Sequence, residues 1–566
     1  MASIIKKNIK GNTYYYLVES KRINGKPKYV NQVYLGSAEA IKEKFNSQKP
    51  EQPLHSLIKD FGDVCLLYEI AQRLSLVEIL DQCLPKRNQG ISLGTYTLIA
   101  TINRAVSPTA KANIAEWFDK TVLKDIINIP KNGLSAQRFW DNMDLIQDSH
   151  IDLFEEIFLE TILEQYPIDT SNLIYDATNF FTFFAADNDS ALAKTGYGKD
   201  KGTRLKIVGL SMMITPDLNI PLLYDVYPGN THDSAEFNSM ITKMKDRYTK
   251  ITGKQADITV SFDRGNNAVD NIQLLESGYI PFHYVGGLRL SQADTLLDIP
   301  KTKFSALHFP DKTSKTKAYR AKLNLYNREM TVIVTYDPDL FKKHVHTHEE
   351  NIAKTQTELE ELRQQLINRA AQNMTKGKPM TKESVSKRLK KILSRDYMDD
   401  VFTTDITNDR PNKPLLKYQL NKKASNNVSR KYFGKRAIYT SRHEWTSEEI
   451  VSAYNSAWHV ESAFRQLKDT DYLSVRPLFH WTDQKIKVHI FFCVLAYRLC
   501  CLLNHELKDA GVNVSINKML TSINEIKKVV TVYSTGNPNI AVSLSKGELI
   551  AEKIIDFYDL RKKYLS

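Results

Sequence analysis

The chain has 566 residues, of which 42% are hydrophobic and 25% charged, and these proportions exclude a disordered or fibrous protein. The length exceeds the roughly 250 to 300 residues at which one hydrophobic core stops growing, so we expect two to four domains. Because 78 Lys and Arg face 65 Asp and Glu, the net charge is +13, which favours a polyanionic partner such as nucleic acid. A basic protein without such a partner stays open as the alternative.

The cysteines and apolar segments argue against two further classes of protein. Five cysteines without a C-x-x-C pair predict reduced thiols in a cytosolic protein rather than a disulfide framework. Charges interrupt the first 20 residues too early for the apolar core of a signal peptide. The most apolar run, VHIFFCVLAYRLCCLLNHEL, contains Arg498, which favours a buried helix over a membrane span. We therefore expect a cytoplasmic protein without a membrane partner.

The first 168 residues predict a small β module followed by helices. NTYYYLVESKRINGKPKYVNQVYLG alternates as two strands around a turn containing NGKP, which predicts a β-hairpin module over residues 1–48. DVCLLYEIAQRLSLVEILDQCL and NIAEWFDKTVLKDIINI have helical periodicity with polar breaks. Residues 49–168 are therefore predicted to form a helical region.

The remaining chain predicts an α/β core with an insertion. SNLIYDATNFFTFF, LKIVGLSMMIT, IPLLYDVYPGN and ADITVSFDRGNN are β-rich, and a helix and a further strand follow, so residues 169–290 predict the first part of the core. Residues 291–445 predict an insertion with strands and a helical hairpin, whose basic run SKRLKKILSR is either solvated or faces DNA. Residues 446–566 are predicted to complete the core with helices and to form the C-terminal region.

Two aspartates follow predicted strands. Asp176 lies in LIYDATNF and Asp263 in VSFDRGNN, each after apolar or β-branched residues. Aspartate is depleted within strands, and ligands of open sheets bind beyond the strand ends, so both positions invite a functional interpretation. Either residue alone could instead cap a turn.

A third acid lies on a predicted helix. AYNSAWHVESAFRQLKD follows TSEE, which resembles a capping box, and Tyr454, Glu461 and Lys468 recur every seven residues, so they share one helix face. A glutamate taken alone could simply be solvated. Two strand-borne aspartates and a helix-borne glutamate can together hold two divalent cations, Mg²⁺ or Mn²⁺, for phosphodiester displacement.

At these residues the chain resembles the DDE transposases of prokaryotic insertion sequences, specifically the IS-four-like superfamily with its Tyr-Arg-Glu-Lys signature. Tyr454, Glu461 and Lys468 match that signature, while Ala457 stands at the Arg position. YDAT and FDRG match the segments of the first two acids, and YPGNTHD matches the glycine-rich turn between them. The resemblance covers roughly residues 170–500.

The resemblance implies a ribonuclease-H-like core and a two-metal site formed by Asp176, Asp263 and Glu461. It further implies that Tyr454 positions the DNA backbone and that Lys468 contacts phosphates at the transposon ends, with Arg465 or Lys468 taking over the contact of the missing Arg. The implied reaction is hydrolysis at the transposon end, followed by attack of the freed 3′-hydroxyl on target DNA. The helical region of residues 49–168 would bind DNA. A homodimer would bridge two ends and would be associated with the nucleoid when bound to DNA.

Two other functions remain open: a metal-dependent nuclease without strand transfer, and a catalytically silent DNA-binding protein derived from a transposase. The run KTGYGKDKGTRLK adds Lys199, Lys201 and Arg204 as predicted DNA-binding residues, with an exposed hairpin loop as the alternative.

Other histidines and tryptophans are assigned structural positions. The alternating histidines of HVHTHEE lack a matching distant Cys or His pair, so an exposed strand end is preferred over a metal site. Trp458 and Trp481 are interpreted as packing residues rather than partners for stacked bases.

Overall fold

The computed structural model describes residues 2–23, 26–47, 53–87, 90–182, 189–197, 204–251, 257–278, 281–310, 315–371, 381–408, 414–476, 478–533 and 540–565. The fold is a mixed α/β structure. The chain divides into two compact units. The first comprises Met1–Leu66, Ala115–Asn128 and Leu507–Ser566, and the second comprises Leu67–Ile114 and Ile129–Glu506.

The strands in the described ranges are β1 (Ala2–Ile9), β2 (Asn12–Ile23), β3 (Lys26–Gly36), β4 (Pro53–Asp60), β5 (Asn172–Phe181), β6 (Lys194–Tyr197), β7 (Arg204–Ile214), β8 (Pro221–Pro228), β9 (Thr259–Phe262), β10 (His283–Leu288), β11 (Ser305–Ala306), β12 (Lys317–Leu325), β13 (Arg328–Tyr336), β14 (Phe402–Asn408), β15 (Pro414–Leu420), β16 (Lys435–Thr440), β17 (Lys527–Tyr533) and β18 (Ile540–Leu544).

The helices in the same ranges are α1 (Ala38–Ser47), α2 (Gly62–Arg73), α3 (Leu76–Cys83), α4 (Leu93–Val106), α5 (Ile114–Asp119), α6 (Leu123–Ile126), α7 (Ala136–Asp144), α8 (Asp148–Gln165), α9 (Asp233–Ile251), α10 (Val269–Glu276), α11 (Asp294–Leu297), α12 (Pro338–Ala370), α13 (Lys382–Ile392), α14 (Met398–Val401), α15 (Lys422–Tyr432), α16 (Ser447–Asn455), α17 (Trp458–Leu467), α18 (Asp483–Asp509), α19 (Ile516–Asn524), α20 (Leu549–Phe557) and α21 (Leu560–Leu565).

The N-terminal module contains one strand more than the predicted hairpin. Strand β1 pairs with β2, and β2 pairs with β3, both antiparallel. The first connection is the two-residue turn of Lys10 and Gly11, both with positive φ, which is the backbone conformation that joins twisted strands tightly.

A second small sheet in the same unit joins distant parts of the sequence. Strand β17 pairs antiparallel with β18 on one side and with β4 on the other. The region predicted to be helical from residue 49 therefore begins with a strand, and the C-terminal region also contains strands. Local periodicity could not show either, because the partner of β4 lies more than 450 residues further along the chain.

The second unit is built on one mixed sheet. Among the described residues, this sheet has ten strands. Nine of them follow the order β11-β12-β13-β16-β10-β9-β5-β7-β6, and the tenth, β8, pairs with β7. Strand β9 lies parallel to both β5 and β10, and the other pairs are antiparallel. All four residues of β9 are buried, as expected of a central parallel strand covered on both faces.

The insertion begins later and ends earlier than the predicted range 291–445. Strands β13 and β16 are adjacent and antiparallel in the main sheet, so only the chain between Tyr336 and Lys435 leaves it. This segment has its own hydrophobic cluster, which includes Leu359, Leu362 and Leu389. The predicted helical hairpin is confirmed as α12 and α13, although most of its predicted turn lies outside the described residues.

The histidines of HVHTHEE lie inside helix α12 rather than at an exposed strand end. His344 Nδ1 accepts a hydrogen bond from the backbone N–H of Gly434 at 3.3 Å, and His348 Nε2 lies 3.0 Å from the Ser425 hydroxyl. His348 is buried, so it fixes the helix within the insertion.

The predicted buried helix is confirmed as α18. Of the described helices, α18 alone is long and apolar enough to cross a membrane, but 94% of its most apolar window is buried inside the protein. Its Arg498 is fully buried, donates to the Pro221 carbonyl at 3.0 Å and pairs with the Glu155 carboxylate at 2.8 Å. All five cysteines are free and buried.

The Arg498–Glu155 pair yields a test of the core. Arg498→Met leaves the Glu155 carboxylate buried without its partner, so we expect the free energy of unfolding, measured by urea denaturation, to fall by about 3–5 kcal/mol. The double variant Arg498→Met/Glu155→Leu leaves no uncompensated charge and should recover most of that loss. A single variant as stable as the parent would contradict the buried pair.

Candidate active site

Asp176 and Asp263 lie at matching positions on neighbouring strands. Strands β5 and β9 are parallel, and the last pair of their register is Tyr175 with Phe262. Each aspartate is the next residue along its strand, and neighbouring strands are about 4.8 Å apart. Asp176 is partly buried and Asp263 is exposed at the end of β9. Asp263 follows β9 as predicted, whereas Asp176 lies within β5 rather than after it, because β5 continues to Phe181 along β7. The two acids are nevertheless side by side.

Both carboxylates point to the same face of the sheet. Tyr175 and Phe262 pack against the Phe237 ring of α9, with ring centroids 4.9 and 4.8 Å away. Because successive side chains of a strand alternate between faces, Asp176 and Asp263 point away from α9. Helices α16 and α17 cover that opposite face, α16 against β9 and β10 and α17 against β5 and β7.

The predicted single helix over these signature residues is two helices. The capping box is confirmed, since Thr446 and Glu449 exchange hydrogen bonds at the start of α16. The hydroxyl of Ser456 donates to the carbonyl of Ala453 at 2.8 Å, and the backbone N–H of His459 bonds the Ser456 carbonyl three residues back. This local tightening separates α16 from α17, so the seven-residue spacing does not continue as one straight face.

Tyr454 contacts the second aspartate directly. Its hydroxyl donates a hydrogen bond to the Asp263 carboxylate, and burial together with the charge of Asp263 raises the pKa of Tyr454 above its ordinary value. The ring reaches this position over Gly287 of β10, where an added Cβ would lie 2.4 Å from the tyrosine oxygen. Tyr454, predicted to position the DNA backbone, thus orients Asp263 in this structure.

Glu461 lies in the first turn of α17 and is exposed. Its helix packs on the strand that carries Asp176, through buried residues that include Phe464 and Leu467. Within the described ranges, no group of three or more Cys, His, Asp or Glu side chains is close enough to hold a metal ion. The fold therefore brings the two aspartates together. Glu461 lies on the covering helix and does not form a three-residue metal-binding group with them.

Cationic side chains surround the two aspartates. The Lys468 ammonium, at the end of α17, lies 5.8 Å from the centroid of the Phe180 ring, which shares the Asp176 face of β5. Arg264 and Arg436 act on Tyr454 with positive charge, in opposition to the larger effect of burial. Arg465 is exposed on α17. These groups could neutralise phosphates beside the carboxylates.

Of the three predicted DNA-binding residues in the glycine-rich basic run, the structure describes only Arg204. Lys199 and Lys201 lie outside the described residues. Arg204 begins β7, where its backbone pairs with Tyr197 of the neighbouring strand β6.

Three arginines near the site were missed by sequence reasoning. Arg264 directly follows Asp263, so the segment FDRG could have revealed it. Arg436 belongs to a strand that was predicted as part of the insertion, and only the pairing of β16 with β10 brings it close. Arg476 lies 5.0 Å from the Phe181 ring centroid, in a segment with no periodic pattern.

The interpretation of the tryptophans as packing residues is wrong. Trp458 is 55% exposed and Trp481 is 65% exposed. Each precedes or begins a helix, and the apolar faces of α17 and α18 are filled by other side chains.

The pair of aspartates fits a divalent cation by donor chemistry. Two hard carboxylate groups lie side by side at the end of β9, which is the ligand type that Mg²⁺ and Mn²⁺ prefer. Asp263 is oriented by Tyr454 and by the backbone N–H of Arg264, at 2.7 Å. Such outer contacts are typical of ligating carboxylates.

Comparisons with known proteins point to one family. The transposase DDE domain matches residues 168–499, which is more than half of the chain. A solved structure of piggyBac transposase, in a synaptic complex with hairpin DNA, covers 82% of this chain and 80% of its own at 8% identity. Its TM-score of 0.38 is too low to establish a shared fold. No curated protein matches the chain. On the match to residues 168–499, the chain belongs to the transposase DDE domain family.

Proposed function

We propose that the protein is the DNA transposase of an insertion sequence, with a ribonuclease-H-like core that cleaves transposon ends and transfers the freed 3′-hydroxyl to target DNA. The observation that carries the proposal is the side-by-side position of Asp176 and Asp263 beneath α16 and α17. Family membership supplies the general activity, DNA cleavage and transfer.

The proposed catalytic carboxylates are Asp176, Asp263 and Glu461. Two divalent cations, Mg²⁺ or Mn²⁺, would be held by these residues and would supply the charge that activates the attacking oxygen and stabilises the leaving one. Glu461 has to approach the aspartates for this role. The break at Ser456 lies between Tyr454, which is held on Asp263, and Glu461, so we propose that α17 moves at this break while that contact is kept.

The remaining side chains would bind and orient the DNA. Tyr454 keeps the Asp263 carboxylate facing the covered side of the sheet. Lys468 and Arg465 lie on α17, and Arg264 and Arg436 lie beside Tyr454, so phosphates approaching the aspartates meet positive charge from both sides. Lysine serves phosphate as a point charge. The alternative of a nuclease without strand transfer uses the same residues.

We further propose that a homodimer bridges two transposon ends and a target duplex, and that the protein works in the cytoplasm on nucleoid DNA. The net charge of +13 supports a DNA partner. One observation favours a second candidate, a catalytically silent DNA-binding protein: the described acids do not form a closed group of three.

The acids give the first test of the proposal. Asp176→Asn, Asp263→Asn and Glu461→Gln should each reduce cleavage by more than the roughly 10- to 100-fold typical of outer-shell changes, because each removes a metal-binding charge. The substrate is a duplex with the terminal sequence that flanks the gene, incubated with and without Mg²⁺, and binding of that duplex should persist in all three variants.

The products of the parent protein separate the three functions. A new 3′-hydroxyl at the element boundary, followed by joining to a second duplex, supports transposition. Cleavage without joining supports the nuclease, and binding without cleavage supports the silent protein. A Glu461→Gln variant that cleaves normally would remove Glu461 from the site.

Lys468 provides a test of phosphate binding. Lys468→Ala should weaken binding to the transposon end and lower the slope of log affinity against log salt by about 1, since one phosphate contact is lost. Fluorescence anisotropy at several salt concentrations measures both quantities. Lys322→Ala, which removes an exposed lysine paired with Glu329, is the control. An unchanged slope in Lys468→Ala would exclude the contact.

Tyr454 tests whether the orientation of Asp263 matters. Tyr454→Phe removes only the hydroxyl that donates to that carboxylate, so the Mg²⁺ concentration for half-maximal cleavage should rise by about 10-fold, as for other outer contacts of metal ligands. Tyr432→Phe, in the insertion, serves as the control. If the variant lost DNA affinity at an unchanged Mg²⁺ requirement, Tyr454 would act on DNA rather than on Asp263.

A further inference from the structure

A cavity lies in the larger unit. Its lining residues include neither of the two aspartates and come from other elements than β5 and β9. Its volume is about 450 Å³, within the range of small-molecule pockets. Its walls come from residues 109–112, between α4 and α5, from α7, and from residues 479–489, which lead into the first turns of α18. The side chains that matter for its chemistry are Lys111, Trp140, Phe479, His480, Trp481 and His489.

The floor of this cavity is cationic. Lys111 is only 5% exposed and its ammonium donates to His489 Nδ1 at 3.4 Å. His489 Nε2 lies 2.8 Å from the Val475 carbonyl, so its N–H is used there and Nδ1 is left as an acceptor. His489 is therefore uncharged, and it supplies no negative charge to balance the Lys111 ammonium.

A second buried cation lies behind the first. Arg104 is fully buried, and its charge adds to the effect of burial in lowering the pKa of Lys111. Its guanidinium donates to the carbonyls of Thr109 and Ser474. Within the described ranges, no carboxylate pairs with Lys111 or Arg104. Buried charges normally have a paired counter-charge, so this cluster lacks one that a ligand could supply.

The entrance of the cavity is aromatic. Trp140, Phe479 and Trp481 line it and are 41%, 53% and 65% exposed. Exposed aromatic rings beside a buried cation suit a ligand that has a planar ring at one end and an anionic group at the other. Lysine binds phosphate and aromatic side chains stack on bases, so this combination is the chemistry of a nucleotide.

The segment that reaches the entrance also carries two cations close to β5. The segment after α17 carries Lys468 and Arg476, which lie over the neighbouring rings of Phe180 and Phe181 on β5. The same segment reaches the cavity at Phe479.

We infer that this cavity is a nucleotide site, in which the phosphate of a nucleoside monophosphate binds Lys111 and its base lies against Trp481 and its aromatic neighbours. The ligand is either a free nucleotide or an unpaired nucleotide at the end of a DNA strand, since both present the same phosphate and base. The inference does not depend on metal-dependent cleavage.

The test measures binding of thymidine monophosphate to the full chain by isothermal titration calorimetry in EDTA. We expect it to bind at least about tenfold more tightly than thymidine or inorganic phosphate, because each of these offers only half of the contacts. Lys111→Met and Trp481→Ala should each weaken binding at least about tenfold, while Trp458→Ala, at another exposed tryptophan, on α17, should not.

The controls keep the outcome decisive. Trp481 is mostly exposed, so its loss should not affect folding, and Lys111→Met removes a buried unpaired charge, so its melting temperature should not fall. No binding of the monophosphate, equal binding of thymidine, or unchanged affinity in both variants would overturn the site. EDTA prevents cleavage, so failure of the proposed transposase activity would not affect these results.

A second arm distinguishes the two sources of nucleotide. Labelled duplexes are compared with and without one unpaired 5′-phosphorylated thymidine. A preference for the unpaired nucleotide that is lost in Lys111→Met supports a DNA-borne ligand. Equal affinity for both duplexes, with binding of the monophosphate intact, supports a free nucleotide.

The pH dependence tests the role of Lys111 itself. Burial, with the charge of Arg104, lowers the pKa of Lys111 to about 7, so the ammonium is mostly charged at pH 6 and mostly neutral at pH 8. The groups that face it are Arg104 of α4, His480, and His489 and Cys493 of α18, with Lys485 acting on His480. The Asp144 carboxylate of α7 lines the same cavity and is paired with Lys485 at 2.8 Å.

We expect the ratio of parent to Lys111→Met affinity to fall up to about tenfold between pH 6 and pH 8, since a pKa near 7 leaves about one lysine in ten charged at the upper value. Taking the ratio cancels the titration of the ligand phosphate, whose second pKa is about 6. A ratio of one at both pH values would exclude Lys111 from the site.

Discussion

The parallel pairing of β5 with β9 is the constraint on which the candidate active site depends. Its register sets Tyr175 beside Phe262, and both rings pack on Phe237. The next residue of each strand must then face the other way, and in both strands it is an aspartate. A slip by one residue would turn one carboxylate into the aromatic layer, so burial of the rings and the position of the acids are fixed together.

The same sheet explains how an insertion of nearly one hundred residues leaves the site intact. It departs from β13 and returns to β16, which are adjacent antiparallel strands, so the sheet continues as if a hairpin turn joined them. Its own hydrophobic cluster, around α12 and α13, removes the need for the sheet to bury its apolar side chains. The long interval between Asp263 and Glu461 is therefore compatible with a site assembled on a continuous sheet.

The sequence predicted the structure where the signal lies in neighbouring residues, such as an acid beside an apolar strand or a helical repeat of apolar residues. Asp176 and Asp263 could be found because an acid within or directly after an apolar strand is unusual, and the helical hairpin because Leu359 and Leu362 repeat at helical spacing. Contacts made by distant segments could not be found that way, including β4 with β17 and Arg436 with Tyr454. The break at Ser456 depends on a side-chain hydrogen bond, which a count of seven residues does not contain.

Two buried basic side chains of this protein differ in whether a carboxylate compensates their charge. Arg498 is enclosed in the core and faces the buried carboxylate of Glu155, so its charge is compensated within the fold. Lys111 is almost as buried, but its nearest polar partner is a neutral histidine and its surroundings open to solvent through aromatic rings. A charge of this second kind destabilises the protein without a ligand, because desolvation is not offset by a counter-charge. The contrast gives a physical reason to look for an anion at Lys111 and none at Arg498, although both residues carry the same charge in the same unit.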